Sequence, residues 1–204
     1  MKPDTLEQIL AFERSLDRVQ QEEHVRAHAD ELPEVLAQLY LQGTRPPHPP
    51  FGEIELRVDP WKAPAPPGGL LAFWEVDGTG SCFCLFGFRD QEALDTPVVY
   101  VGSEGAFAFV AATLRELLAL VAACGEVALD VALASRRPDH QPTDRDRAFA
   151  DWLAEALGLA PMEDVEAWVK RRDAQAERFY ATHPIEAPSP HFRYWAGPVQ
   201  RTMG

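Results

Sequence analysis

Two runs of sequence, GLLAFWEV (69–76) and SCFCLFGF (81–88), decide the fold. Each is almost unbroken apolar chain. Asp77-Gly78-Thr79-Gly80 between them supplies residues that tolerate positive φ, so the chain reverses tightly there. In the second run Cys82, Cys84, Phe86 and Phe88 alternate onto one face, with Phe83 and Leu85 on the other. Apolar groups on both faces predict an interior strand covered on both sides. A third run, PVVYVG (97–102), is joined by Ser103-Glu104-Gly105 to a fourth, AFAFVA (106–111). Thr113 then opens a helix, with Glu116 at capping-box spacing. Leu114, Leu117, Leu118 and Val121 give that helix one apolar face, which makes it one cover for the strands. The N-terminal helices are the candidate for the other. The expected class is α+β: a mostly antiparallel sheet of about five strands packed with helices, followed by a helical C-terminal part.

Working outward, FGEIELRV (51–58) supplies the fifth strand. Ile54, Leu56 and Val58 share one face, and Glu53, Glu55 and Arg57 the other, so it belongs at an edge or on the outside. Two proline-rich stretches flank it, TRPPHPP (44–50) and DPWKAPAPPGG (59–69), with Trp61 expected to pack on the domain. Upstream, Thr5 opens a first helix striped by Leu6, Ile9, Leu10, Leu16 and Val19. Pro33 suits the first turn of a second, roughly 32–42, ended by Gly43.

Downstream, Cys124-Gly125 reads as a helix stop. Residues 126–135 alternate like a strand at Val127, Leu129, Val131 and Leu133, while their alanines favour a helix. Thr143 caps a helix carrying Phe149, Trp152, Leu153, Ala156 and Leu157 in register. The last helix runs from Asp164 to His183, with Val165, Trp168, Val169, Ala176, Phe179 and Tyr180 tracing one face. Lys170-Arg171-Arg172 on it is read as a solvated basic face. From Pro184 the chain is a tail rich in proline, with Phe192-Arg193-Tyr194-Trp195 expected to dock on the body or on a partner.

The 204 residues suit one domain, and 46% hydrophobic content excludes wholesale disorder. No apolar segment reaches the roughly 18 residues needed to span a bilayer. MKPDTLEQ has no hydrophobic core to act as a secretory signal, which sets the expectation of a cytoplasmic protein. Three cysteines argue against a disulfide framework. Cys82 and Cys84 read as buried, reduced thiols. A net charge of −13 makes this an acidic protein, heavier in acid before residue 102 than after it. Such a surface repels phosphate backbones, so direct nucleic-acid binding is not expected. It serves solubility, or speeds encounter with a basic protein.

Chemistry-bearing patterns are sparse. His24 and His28, with Glu23 and Asp30 near, have the most metal-like spacing, but a polar helix face explains them and no metal is assigned. Asp139-His140 are sequence neighbours without a nucleophile motif. DGTG is too short for a phosphate loop and joins two strands. Five loop carboxylates remain: Asp77, Asp90, Glu92, Asp95 and Glu104. Two of them could pair as acid and base, as in glycoside hydrolysis, yet no spacing singles out a pair. The residues point away from an enzyme, with no cofactor called for.

The order of these features resembles the SUKH superfamily, which includes bacterial immunity proteins and a yeast cell-wall-synthesis regulator. DGTG between two aromatic strands, then PVVYVGSEG, then a strand and a Leu-rich helix carry the likeness. Leu32-Pro33 followed by Tyr40 and Gly43 resembles the family's early "LP … aromatic … NG" helix, with Gln42 where the family has Asn. Phe149–Leu153 and Leu157–Leu159 resemble a helical extension of some bacterial members. The resemblance covers roughly residues 30–180. It implies a single SUKH-like domain over 1–183, with its helical extension at 126–183 and a separate tail at 184–204. It also implies a non-enzymatic protein-binding module of the immunity type, one half of a toxin–antitoxin pair, that neutralises a basic toxin such as a nuclease by occlusion. Asp77, Asp90, Glu92, Asp95 and Glu104 would then be the partner-binding groups. The alternatives are a regulatory or scaffold protein without a toxin partner, a hydrolase using scattered carboxylates, and a metal protein using His24 and His28.

Overall fold

In a computed structural model the described residues are 33–43, 57–58, 68–76, 80–102, 107–125, 128 and 142–183. The apolar runs become strands that follow one another across an antiparallel sheet: β1 (Arg57–Val58), β2 (Leu70–Glu75), β3 (Cys82–Phe86), β4 (Val98–Val101) and β5 (Phe107–Ala111), in that spatial order. Four helices are described beside them: α1 (Glu34–Gly43), α2 (Leu114–Cys124), α3 (Asp144–Leu157) and α4 (Val165–Thr182). The class is α+β, as the pattern predicts, with four full strands and a two-residue fifth at one edge.

Both faces of the sheet are buried, and the strand alternation sorts side chains between two apolar clusters. The first takes Phe83 and Leu85 of β3, Val98 and Tyr100 of β4, and Val110 of β5. Over them lie Leu36 and Leu39 of α1, Leu114, Leu117, Leu118 and Val121 of α2, and Phe149 and Leu153 of α3. The second takes Cys82, Cys84, Phe86, Val99, Val101, Phe107 and Phe109, covered by Ala176 and Phe179 of α4. The expectation that the N-terminal helices supply the second cover is corrected for the second of them; the first, opened by Thr5, lies outside the described residues. The described one, α1, joins the first cluster, and the C-terminal helix covers the other face.

Alternation fails at three places, each with a local cause. On β5, Val110 and Ala111 both enter the first cluster, where the pairing of β4 with β5 shifts register between Val98 and Val99. The pairing of β2 with β3 shifts register between Ala72 and Trp74, so Phe73 and Trp74, consecutive in sequence, both enter the first cluster. Their rings meet edge to face at 6.5 Å, and Trp74 meets Phe149 the same way at 6.5 Å. Phe88, expected beside Cys82, Cys84 and Phe86, lies instead in the first cluster. Gly87 has left the strand at φ 74°, which resets the side-chain parity.

The helix starts follow their caps. Pro33 stands just ahead of α1, and its carbonyl accepts from Leu36 N and Ala37 N. The Thr113 hydroxyl accepts from Glu116 N at 3.0 Å, while the Glu116 carboxylate reaches one residue further back than expected, to Ala112 N at 3.1 Å. Thr143 and Asp146 form a complete capping box at the start of α3. Asp164 caps α4 by accepting from Ala167 N at 2.8 Å. Within 126–135, only Ala128 is described; it is helical and buried.

α4 is the element that departs most from its sequence reading. Its apolar stripe is continuous but serves two faces: Trp168, flanked by Val165 and Val169, enters the first cluster, and Ala176 and Phe179 the second. Between those halves the helix passes the free edge of β5. Arg172 Nη2 donates to Phe109 O at 2.8 Å, and Phe109 N donates to Tyr180 Oη at 2.8 Å. Two side chains thus bond the outward backbone groups of Phe109, which blocks pairing of another strand at that position. The basic trio splits accordingly. Lys170 pairs with Glu166 at 2.9 Å on the exposed side, Arg171 is exposed, and Arg172 is 5% exposed, which corrects its reading as part of a solvated face. Burial pulls the Arg172 guanidinium below the ordinary arginine range, opposed by Asp173 and Tyr180. Burial raises that of Tyr180, opposed by its hydrogen bond from Phe109 and by Arg172. Tyr180→Phe, which strands the Phe109 N–H, is expected to cost about 1–3 kcal/mol in urea-induced unfolding. Unchanged stability would mean that another acceptor serves that amide.

Candidate functional site

Of the five carboxylates singled out from sequence, three fall on one described loop, residues 87–97, between β3 and β4. The loop is tied down at each end by backbone bonds. Gly87 N donates to Gly69 O at 2.8 Å, Arg89 N to Gly68 O at 3.3 Å, and Asp90 N to Gly87 O at 3.1 Å. A short 3-10 turn, Ala93–Asp95, follows, and Ala93 is buried. Thr96 then pins the loop to the core. It is 0% exposed, its hydroxyl donates to Glu92 O at 2.9 Å, and its carbonyl accepts from Leu114 N at 2.9 Å at the head of α2.

Asp90, Glu92 and Asp95 project from this frame into solvent. Asp90 lies against the backbone of Gly68, where a Cβ would come within 2.3 Å of Asp90 Oδ2; Gly68 also sits at φ 81°, a conformation that suits glycine. Arg89 lies over the Phe88 ring, 4.4 Å from its centroid, so its cation rests against the aromatic face. Arg115 approaches Asp95 at 3.8 Å, but both side chains are more than half exposed, so that pair contributes little. The result is a fixed backbone presenting three carboxylates to water, an arrangement suited to meeting a cationic surface.

Asp77 and Glu104 lie outside the described residues. The strand ends that flank them, Glu75 with Cys82 and Val101 with Phe107, pair at one end of the sheet. The 87–97 loop leaves from the opposite end. Sequence order alone does not reveal that split. Also outside the described residues are His24, His28, Trp61, Asp139, His140 and the tail at 184–204.

Elsewhere, chemistry-bearing groups are embedded in the fold. Cys82 and Cys84 sit in the second cluster with their sulfurs 3.6 Å apart, and Cys124 is buried in the first. Burial pushes the Cys124 thiol up to about 11, so it is a thiol and a poor nucleophile at neutral pH. Among the described residues no group of three or more His, Cys, Asp or Glu side chains is placed to hold a metal ion. None of the described helices is long and apolar enough to cross a membrane. Sequence reasoning missed the inward role of Arg172, although a signal was present: it falls on the apolar stripe midway between Trp168 and Ala176, at i+4 from one and i−4 from the other.

Compared with models of known protein families, with curated sequences and with solved structures, the chain matches none.

Proposed function

We propose that the chain is a protein-binding module of the immunity type, which neutralises a basic partner by covering its cationic cleft with the acidic loop at 87–97. The observation that carries this reading is the loop itself: three exposed carboxylates on a backbone held by Thr96 and the Gly68-Gly69 contacts. Pre-organisation of this kind lowers the ordering cost of association, and like-signed acids raise the encounter rate with a basic surface. The net charge of −13 acts in the same direction. The SUKH resemblance supports a bacterial, cytoplasmic immunity protein whose partner is a toxin such as a basic nuclease. The second reading, a regulatory or scaffold protein without a toxin partner, uses the same surface.

The test is capture by the full chain from its source cells at low salt, with the Asp90→Asn/Glu92→Gln/Asp95→Asn variant in parallel. A basic protein retained by the wild type, released by salt, and recovered at least about tenfold less by the variant is expected. Equal recovery by both would remove the loop from the account. Retention of no protein would remove the module itself.

A further inference from the structure

Among the described residues, the buried side-chain nitrogen and oxygen atoms without a hydrogen-bond partner are Trp168 Nε1, Arg172 Nε and Gln175 Oε1. All belong to α4: Arg172 and Gln175 stand where it crosses the β5 edge, and Trp168 one turn before. Buried polar groups are nearly always bonded, so their concentration on one helix marks its docking as imperfectly compensated. Arg172 adds a buried cation whose nearest carboxylate, Asp173, is 3.6 Å away and 43% exposed. Such a pairing offsets little of the cost of desolvating a guanidinium.

The two halves of the helix are held differently. The N-terminal half has Trp168, fully buried, and a connector fastened to α2 by Met162 N donating to Ala119 O at 2.9 Å. Past Arg172 the apolar anchoring comes chiefly from Phe179, which meets Phe86 at 5.0 Å and Phe109 at 5.2 Å. His183 closes the end, 4.8 Å from the Phe179 ring, with its backbone N–H donating to Phe179 O at 2.8 Å. A segment whose burial centres on one aromatic anchor, with unpaired polar atoms at its base, is the kind that opens below the global unfolding threshold.

We propose that the C-terminal half of α4, Arg172 to His183, is a strap that opens as a unit while the first cluster stays folded. Opening frees the Phe109 N–H and C=O and uncovers the second cluster. Those are an unpaired strand edge and an adjoining apolar face, the two features an added strand uses. The strap rests on its β5-edge and second-cluster contacts and not on the acidic loop's charges, although Phe86, which both Phe179 and His183 meet at 5.0 Å, immediately precedes that loop.

The cysteines report on it. Cys82 and Cys84 lie in the second cluster and Cys124 in the first, so strap opening exposes only the pair. The full chain is treated with a water-soluble aromatic disulfide reagent in native buffer, and labelled sites are mapped by mass. Cys82 and Cys84 are expected to react well before Cys124, at a rate that low urea barely changes, and Phe179→Ala is expected to speed them by about tenfold or more. Labelling of all three cysteines together, with the steep urea dependence of global unfolding, would overturn the strap. Hydrogen exchange on the wild-type chain decides the matter even if the variant does not fold. Amides at 176–183 and at Phe109 should then open together and faster than those of α2. Equal protection across both sets would count against the proposal.

Discussion

Trp168→Ala is expected to lower the free energy of unfolding by about 4 kcal/mol, the range found when a large buried aromatic is truncated. Trp168 is 0% exposed and enters the first cluster from α4, with Val165 and Val169 packed beside it. Its removal leaves a cavity where α4 meets the helical layer, and also loosens the start of the segment that carries Arg172 and Tyr180 to the β5 edge. Trp168→Phe separates volume from polarity. It keeps most of the ring and removes the indole N–H, which is without a partner, so a loss within about 1.5 kcal/mol is expected. Urea denaturation of both variants is the check. A loss under about 1 kcal/mol for the alanine variant would mean that α4 is not seated on this face.

Gly125→Ala is expected to cost about 3 kcal/mol, from backbone strain together with a damaged helix cap. Gly125 ends α2 at φ 59° and ψ −135°, a conformation that L side chains rarely adopt. A Cβ there would also lie 2.2 Å from the Asp146 carboxyl carbon. Asp146 has no room to withdraw. It is 3% exposed and accepts from Thr143 N and Thr143 Oγ1, both at 2.7 Å, in the box that starts α3. The end of one helix is therefore locked against the beginning of the next. Asp146→Ala alone should cost about 1–2 kcal/mol through the lost cap. The double variant should lose less than the two single losses combined, because truncating the aspartate removes the clash. Strict additivity in the thermal or urea midpoints would contradict that contact.

What was legible in the sequence is what short-range physics controls. The runs at 69–76, 81–88, 97–102 and 106–111 became neighbouring strands because each is too apolar to stay in water and is bounded by turn residues. Thr113, Thr143, Asp164 and Gly125 marked helix ends because capping is settled within four residues. What escaped needed non-local geometry. The register shift that puts Phe73 and Trp74 on one side is fixed by β3, not by the order of residues in β2. Phe88 changed sides because Gly87 turns the chain out of the strand toward Gly69. Arg172 was read by its charged neighbours, Lys170 and Arg171, whereas its position on the stripe takes it to a backbone carbonyl. For the candidate site, residue type and loop membership were readable for Asp90, Glu92 and Asp95. The separation of their loop from the strand ends next to Asp77 and Glu104 follows from the antiparallel order of the sheet.

The claim on which the rest depends is that this protein meets its partner with the loop at 87–97. Hydrogen exchange of the full chain, measured alone and in complex with the protein it captures, addresses that directly. Slowed exchange concentrated at residues 89–96 is the predicted result. Unchanged exchange there, with new protection confined to β5 and α4, would contradict it and place the contact at the sheet edge.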